Sequence, residues 1–344
     1  MRGSTGPDSA FPRAPRTPSM TPRISILLCT YNGRDLVGSC LESILRQSVR
    51  EIEVLCIDGG SRDGTLELIQ DQAARDPRVR LIHNPNRLPE GRGNGKWLGF
   101  EQARGSLVGI VDQDNVLQRD DLFEQAIHAL EQDPRLLGVL GGLRHDRRDP
   151  PIVRYISLFG TDAFFAYRSV DFLRWTRIPA SSDADHRHGH EQFELSTDNL
   201  PLTGGNCFFY RKPDVLEAGG YDQDVLLVRR LVSGGRSRLA MVPDATKHYA
   251  ERGLTRLVSK KFFWAKTFFT AGTERFDYLP RTALERRAFS RNLIFNLLIV
   301  PNLLTIRPHL RRTGDPVCWL FPPIAFLTTI AYGLHFLAGK VHRS

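Results

Sequence analysis

The chain has 344 residues, of which 41% are hydrophobic and 25% charged. That composition excludes a wholly disordered chain and a polytopic membrane protein, and the length leaves room for about two domains. The formal net charge of +9 is unevenly placed: residues 1–23 carry +3, residues 250–344 carry +10, and residues 24–249 carry −4. The part that reads as a folded domain is therefore acidic, which argues against a nucleic-acid-binding core.

Residues 1–22 hold Pro7, Pro12, Pro15, Pro18 and Pro22 among Ser, Thr and Arg. This reads as a disordered leader without the apolar stretch of a signal peptide, and Met20 is an alternative start. Order begins with the apolar run Ile24–Cys29, expected to be a buried strand. Leu36–Gln47 has apolar residues at helical spacing. Ile52–Ile57 is a second strand ending at Asp58-Gly59-Gly60, and Asp63-Gly64-Thr65 opens a helix through Gln72. Val79–Ile82 is a third strand, Gly95–Ala103 a helix, and Leu107–Val111 a fourth strand ending at Asp112. Such alternation predicts βαβ units and a mostly parallel sheet, with ligands at the carboxyl ends of the strands. Those ends carry Thr30-Tyr31-Asn32, Asp58-Gly59-Gly60-Ser61 and Asp112-Gln113-Asp114-Asn115.

From about 145 to 200 the regular pattern is lost, with an aromatic segment (Tyr155 to Tyr167) and a polar loop (Ser181–Glu194). Leu202–Tyr210 reads as a further strand. Leu254–Phe269 is basic and aromatic. Ala288–Ile306 is apolar but interrupted by Arg291, Asn292, Asn296, Pro301 and Asn302, and is expected to be an interfacial or re-entrant helix. Pro316–Gly339 has no acidic or basic residue and exceeds the ~20 residues that a bilayer span requires, with a kink expected at Pro322-Pro323. The alternative for both stretches is a buried helical pair. The basic flanks, Arg281 to Arg291, Arg307 to Arg312, and Lys340 with Arg343, suit a cytoplasmic leaflet but conflict with a simple two-span hairpin. The five cysteines form no CxxC pair and read as buried reduced thiols, with no zinc site.

Asp112-Gln113-Asp114 follows an apolar strand at a turn, where two carboxylates can converge on one hard cation that also bridges phosphate oxygens. With this triplet a family resemblance emerges. Ile24–Asn32 resembles the opening strand of the family 2 glycosyltransferases, with Cys29 where Pro is usual. Leu41–Ser48 resembles the family's next helix, and Asp58–Thr65 its acidic Gly-Ser-x-Asp-Gly-Thr turn. Gly91–Gly99 is similar to its Gly-rich segment, with Lys96 and Trp97 in place of the usual Arg and Asn. Asp112-Gln113-Asp114-Asn115, Thr203-Gly204-Gly205-Asn206 and Gly219-Gly220-Tyr221-Asp222 match later landmarks in family order.

The resemblance implies an α/β GT-A fold, Rossmann-like, over residues 23–250. Basic amphipathic connecting helices would follow over 251–287, and membrane-associated or transmembrane helices over 288–344. It implies inverting transfer from a nucleotide-sugar donor; with the C-terminal apolar segments and their basic flanks the expectation is a lipid-linked or surface-glycan acceptor at a membrane and a cytoplasmic catalytic domain, and with the acidic middle no nucleic-acid partner. Thr30, Tyr31, Asn32, Asp58, Lys96, Asp112, Gly204 and Gly205 would hold the donor. Asp114, Asp112 and His248 would hold Mg²⁺ or Mn²⁺. The base would come from Gln223-Asp224, followed by Arg230, where the family usually has Glu-Asp; Asp224 is the expected base and Asp222 its competitor. His186, His188 and His190 read as a mobile acceptor-side loop rather than a metal site. Trp264 and Lys260-Lys261 would pack on headgroups or hold a lipid-linked pyrophosphate. A second reading takes Gln223 as the mark of a catalytically silent nucleotide-sugar-binding or scaffolding subunit. A nucleotidyltransferase is disfavoured, because no basic Gly-rich loop follows the first strand.

Overall fold

The computed structural model describes residues 21–84, 88, 93–168, 190–198, 200–250, 253–270, 280 and 282–341. The leader, His186, His188 and the side chain of Trp264 lie outside the described residues. The first half alternates β1 (Ile24–Thr30), α1 (Arg34–Leu45), β2 (Ile52–Asp58), α2 (Thr65–Arg75), β3 (Val79–His83), α3 (Gly95–Gln102) and β4 (Leu107–Ile110). There follow β5 (Asn115–Leu117), α4 (Leu122–Gln132), β6 (Leu136–Leu143), α5 (Pro151–Phe159) and a 3₁₀ turn, Ala163–Arg168. Then come β7 (Glu191–Glu194), β8 (Phe208–Arg211), α6 (Lys212–Glu217), α7 (Asp224–Ser233) and β9 (Arg238–His248). The chain closes with α8 (Leu254–Thr270), α9 (Ala283–Leu298), α10 (Asn302–Thr313), a second 3₁₀ turn (Pro316–Leu320) and α11 (Phe321–Val341).

Among the described residues the strands form one sheet in the order β3-β2-β1-β4-β8-β6-β9-β5, with β7 also on β9. The pairs within β3-β2-β1-β4 are parallel, as the alternation predicts. The other half is mixed: β8 is antiparallel to β4 and β6, β6 is parallel to β9, and β5 and β7 are antiparallel to β9. The continuous apolar runs of β1 and β2 follow from helices on both faces. Ile24, Ile26, Leu28, Val54 and Cys56 face a core shared with Val37, Cys40, Leu41 and Ile44 of α1 and Phe123 of α4. Leu27, Leu55 and Ile57 face a second core with Phe100 of α3 and Leu227, Val228 and Leu231 of α7. No two of the five cysteines pair.

Two expectations change. The strand anticipated over Leu202–Tyr210 is confined to Phe208–Arg211, because Gly204 (φ 110°) and Cys207 (φ 46°) hold the preceding chain in left-handed turns that no strand admits. The apolar segment changes at Leu320–Phe321 from a 3₁₀ turn to α11, and Pro322-Pro323 lies in the first turn of that helix, where proline removes no needed hydrogen bond. The C-terminal helices pack on the sheet domain: Ile152, Tyr155, Ile156 and Phe159 of α5 share a core with Leu257, Ile306, Phe321 and Ile324. Pro316–His335 is apolar enough to cross a membrane, and 56% of it is already buried within the protein.

Candidate active site

The parallel strands deliver their polar ends to one edge of the sheet. The β1–β2 register sets Thr30 opposite Asp58, and the Thr30 hydroxyl donates to Asp58 Oδ2 at 3.2 Å. Asp58 also accepts from the Gly60 and Ser61 amides (3.0 and 2.9 Å) and from Ser61 Oγ (2.5 Å). At 1% exposure its carboxylate is consumed in shaping the turn, and it does not reach the lining of the adjacent cavity. Asn32, at φ 46°, clips the same turn: its amide donates to Ser61 Oγ and its Oδ1 accepts from the Arg62 amide, both at 2.9 Å. Thr30, Tyr31 and Lys96 do line this small cavity, of about 270 Å³, together with Gln113 and Asp224.

The acidic centre forms where β4 ends. Lys96, from the first turn of α3, donates to the Gly205 carbonyl at 2.6 Å and lies 3.5 Å from Asp224 Oδ1 and 3.9 Å from Asp112 Oδ1. Burial works against its ammonium charge, but the Asp224 and Asp112 carboxylates outweigh burial and raise its pKa. Burial, only partly countered by Lys96, pushes Asp112 upward. Because β5 and β9 pair Asn115 with His248, the imidazole reaches the neighbouring Asp114, Nε2 to Oδ1 at 3.2 Å. Burial opposes charge on both members of that pair, yet their mutual bond outweighs it: Asp114 is held below the ordinary carboxylate range and His248 above the ordinary imidazole range.

An imidazole beside a carboxylate suits Mn²⁺ well and Mg²⁺ less well. Among the described residues no group of three His, Cys, Asp or Glu side chains converges tightly enough to hold a cation unaided. Asp112, Asp114 and His248 thus line one wall without forming a closed cage.

Asp222 and Asp224 have different surroundings. Asp222 is clamped by Arg230, with contacts of 3.0 and 2.8 Å. Asp224, the first residue of α7, faces the cavity beside Lys96 and accepts from the Tyr221 hydroxyl. The Gly204-Gly205 turn passes directly against it. A Cβ on Gly205 would overlap the Asp224 carboxylate, and Gly204 adopts φ 110° while its carbonyl accepts from Tyr210 Oη at 2.8 Å. Gly205→Ala is therefore expected to displace Asp224 and cut turnover by at least ~10²-fold, with the melting temperature nearly unchanged. A transfer assay beside a thermal melt checks it.

A larger cavity, of about 1480 Å³, runs from Asp112, Asp114 and Asp224 to Lys260, Lys261 and Tyr332 of the C-terminal helices. Arg144, Arg147, Arg148 and Arg312 also line it, together with Asp146, Asp162, Asp244 and Glu191. Lys261 is buried and lies 3.3 Å from Asp162, which also accepts from Tyr332 Oη at 2.9 Å. His190 is buried beside Gln192.

Sequence reasoning gave no role to three contributors, Gln113, Asn115 and Tyr221, and named Arg230 without its partner. Gln113 bonds both the amide and the carbonyl of Tyr31 at 3.0 Å, locking the β1 loop onto the acidic turn. Asn115 donates to Asn206 Oδ1 at 2.7 Å, joining that turn to the glycine loop. Tyr221 and Arg230 position the two aspartates. Each sits inside a motif already singled out, so position was the available signal; the Gln113 and Asn115 bonds cross 82 and 91 residues and leave no local pattern, whereas Tyr221 and Arg230 reach aspartates three and eight residues away.

The family model for glycosyl transferase family 2 matches residues 25–213, more than half of the chain. Among curated relatives, the uncharacterized glycosyltransferase EpsJ of Bacillus subtilis (strain 168) is 32% identical over 114 residues, 33% of this chain and 32% of that protein. Glycosyltransferase GlyG of Streptococcus pneumoniae serotype 4 is 26% identical over 138 residues, 40% of this chain and 45% of that protein. The chain thus matches less than half the length of either relative. Mannosyltransferase PcManGT from Pyrobaculum calidifontis, solved with GDP-Man and Mn²⁺, aligns with 96% of this chain and 91% of its own, with a TM-score of 0.56 and 17% identity. That likeness is one of fold.

Proposed function

The chain belongs to glycosyl transferase family 2 and has its GT-A fold, and from that premise we propose that it transfers a sugar from a nucleotide-sugar donor to a lipid-linked or surface-glycan acceptor, with inversion. The observation that carries this reading is the placement of Asp224. It is the member of its aspartate pair that is not clamped by Arg230, and it stands where the small cavity meets the large one. The donor nucleotide lies in the small cavity between Thr30, Tyr31 and Lys96. Its diphosphate extends toward Asp114 and His248. Asp58 and Asn32 act at one remove, by fixing the loop that Thr30 and Tyr31 belong to.

The acceptor enters from the large cavity, where Arg144, Arg147 and Arg312 can meet a phosphate-bearing substrate. Asp224 takes the proton from the acceptor hydroxyl as that oxygen attacks the anomeric carbon. Attack opposite the departing diphosphate inverts the configuration. Lys96 fixes the Asp224 carboxylate and brings a positive charge near the donor. Gln223 is buried with no partner for its side-chain amide among the described residues, leaving that amide for a donor hydroxyl.

Asp114 and His248, with Asp112 nearby, would hold Mg²⁺ or Mn²⁺, which supplies positive charge to the leaving diphosphate. Two close protein donors make a weak site by themselves, so metal and nucleotide are expected to strengthen each other's binding by the same factor. The test is a thermal-shift screen of nucleotide sugars, GDP-Man included, with and without Mn²⁺. The expected result is a shift for one donor with Mn²⁺ that exceeds the two separate shifts together, lost in Asp114→Ala. A full Mn²⁺-dependent shift in Asp114→Ala would remove the metal role from this reading.

A further inference from the structure

The C-terminal helices present an apolar surface that catalysis does not use. The axes of α9 and α10 meet at 88°. The outside of this elbow exposes Leu297, Leu298, Ile299, Val300, Leu303 and Leu304, with Val300 69% and Leu304 64% accessible. Single exposed leucines are ordinary, but a contiguous cluster of six marks a surface that meets something apolar. At the inside of the apex two amides are buried, while farther along α10 Ile306 joins the core shared with α5. Asn296 and Asn302 are buried; Asn296 donates to Thr329 Oγ1 of α11 at 3.0 Å and accepts from Asn302 at 3.2 Å. Around the apex this inverts the pattern of a water-facing helix pair, which buries its leucines and exposes its amides. The amide lock also makes the elbow a fixed feature, with Ile299 held at φ 61° at its apex.

Charge identifies the occupant. Between Glu285 and Asp315 there are six arginines and no acidic residue. Arg286, Arg287, Arg291, Arg307, Arg311 and Arg312 are all exposed. At 1.5 Å per residue, Arg291 and Arg307 stand about 10–12 Å along their helices from the apex. With both arms inclined, that spacing puts the guanidinium groups at headgroup level when the apex lies ~5–10 Å deep, the depth of interfacial helices. By contrast, α11 is packed largely within the protein and anchors the elbow through Thr329.

We propose that the elbow, residues 294–304, is seated in one leaflet of an anionic bilayer, so that the chain is held monotopically by α9–α10 while α11 serves as their internal scaffold. This deepens the lipid-linked acceptor of the function proposed above and rests on it, but not on turnover. The large cavity is lined by Arg312, in the last turn of α10, so the elbow and the cavity share one helix.

The experiment is flotation of the full chain with vesicles of phosphatidylcholine alone or mixed with phosphatidylglycerol, at low and high salt. Wild type is expected to float with the anionic vesicles, and Val300→Asp/Leu304→Asp to lose at least ~10-fold in partitioning. Arg291→Glu/Arg307→Glu should lose the preference for anionic over neutral vesicles. Both variants alter exposed positions and should keep the wild-type melting temperature and donor-induced shift, which separates loss of membrane contact from loss of fold or of donor binding. Wild-type partitioning by the aspartate variant would overturn the elbow while leaving a membrane enzyme in place. A wild-type chain that ignores vesicles but dimerises, with the aspartate variant monomeric, would assign the elbow to a second copy and overturn the proposal.

Discussion

Asp224→Asn is expected to lower turnover by about 10²–10⁴-fold while leaving donor affinity close to wild type, the range that a positioned general base contributes. The amide retains the carboxylate's shape and can still accept from Tyr221 Oη, but it cannot take a proton from the acceptor. Asp222→Asn provides the contrast. It weakens a two-point clamp to Arg230, which also holds the Gly220 carbonyl at 2.7 Å, so its effect should fall on stability and on the placement of α7. Initial rates of transfer for the two variants, with KM for the donor, separate the roles. A larger loss in Asp222→Asn than in Asp224→Asn, with both folded, would exchange the assignments. A wild-type chain that binds donor, turns over none, and is unchanged by Asp224→Asn would be the silent subunit that Gln223 in place of Glu raised as an alternative.

The parallel half of the sheet was legible because burial on both faces leaves an unmistakable record, as in Ile24–Leu28 and Ile52–Ile57. The mixed half was not. β8 enters between β4 and β6 across about a hundred and about seventy residues of chain, and long-range pairing of that kind has no local signature. α5 lay in a region read as irregular, although Pro151 at its first turn and the stripe Ile152, Tyr155, Ile156 and Phe159 did carry the helical pattern. In the candidate site, motif position singled out Lys96, Asp112, Asp114, Asp224 and His248, which the fold brings to one cavity wall and its neighbour. It could not show that Thr30 and Asp58 bond to each other, or that Arg230 occupies Asp222 and not Asp224. Those assignments depend on which side chain meets which, and the C-terminal reading failed to resolve for the same reason. Hydropathy ranks Pro316–Gly339 as the membrane segment, but packing places much of it inside the protein and turns the shorter, more polar Ala288–Ile306 outward.

The second large effect is expected far from the chemistry, at Asp315. Its side chain is fully buried, meets Arg154 with both oxygens at 2.9 and 3.0 Å, lies 3.2 Å from His145 Nε2, and caps the second 3₁₀ turn through the Val317 amide at 2.9 Å. Asp315→Ala strands the mostly buried Arg154 guanidinium, a change that costs ~3–5 kcal/mol when one partner of a buried pair is removed. For a chain of this size that corresponds to a melting temperature lower by roughly 10 °C. Arg154→Met/Asp315→Leu, which removes both charges, should be less destabilised than Asp315→Ala alone, because no buried charge is left unpaired. Asp315 also secures one side of the 144–149 loop. Arg147 bonds the neighbouring Gly314 carbonyl at 2.8 Å, while Lys247, next to His248, holds Asp149 from the other side at 2.8 Å. Arg144, Arg147 and Arg148 of this loop line the large cavity. At temperatures where Asp315→Ala remains folded, its KM for the acceptor should therefore rise while the donor-induced thermal shift is kept. Loss of the donor shift with acceptor KM unchanged would place this anchor on the donor side instead, and would separate the large cavity from acceptor binding.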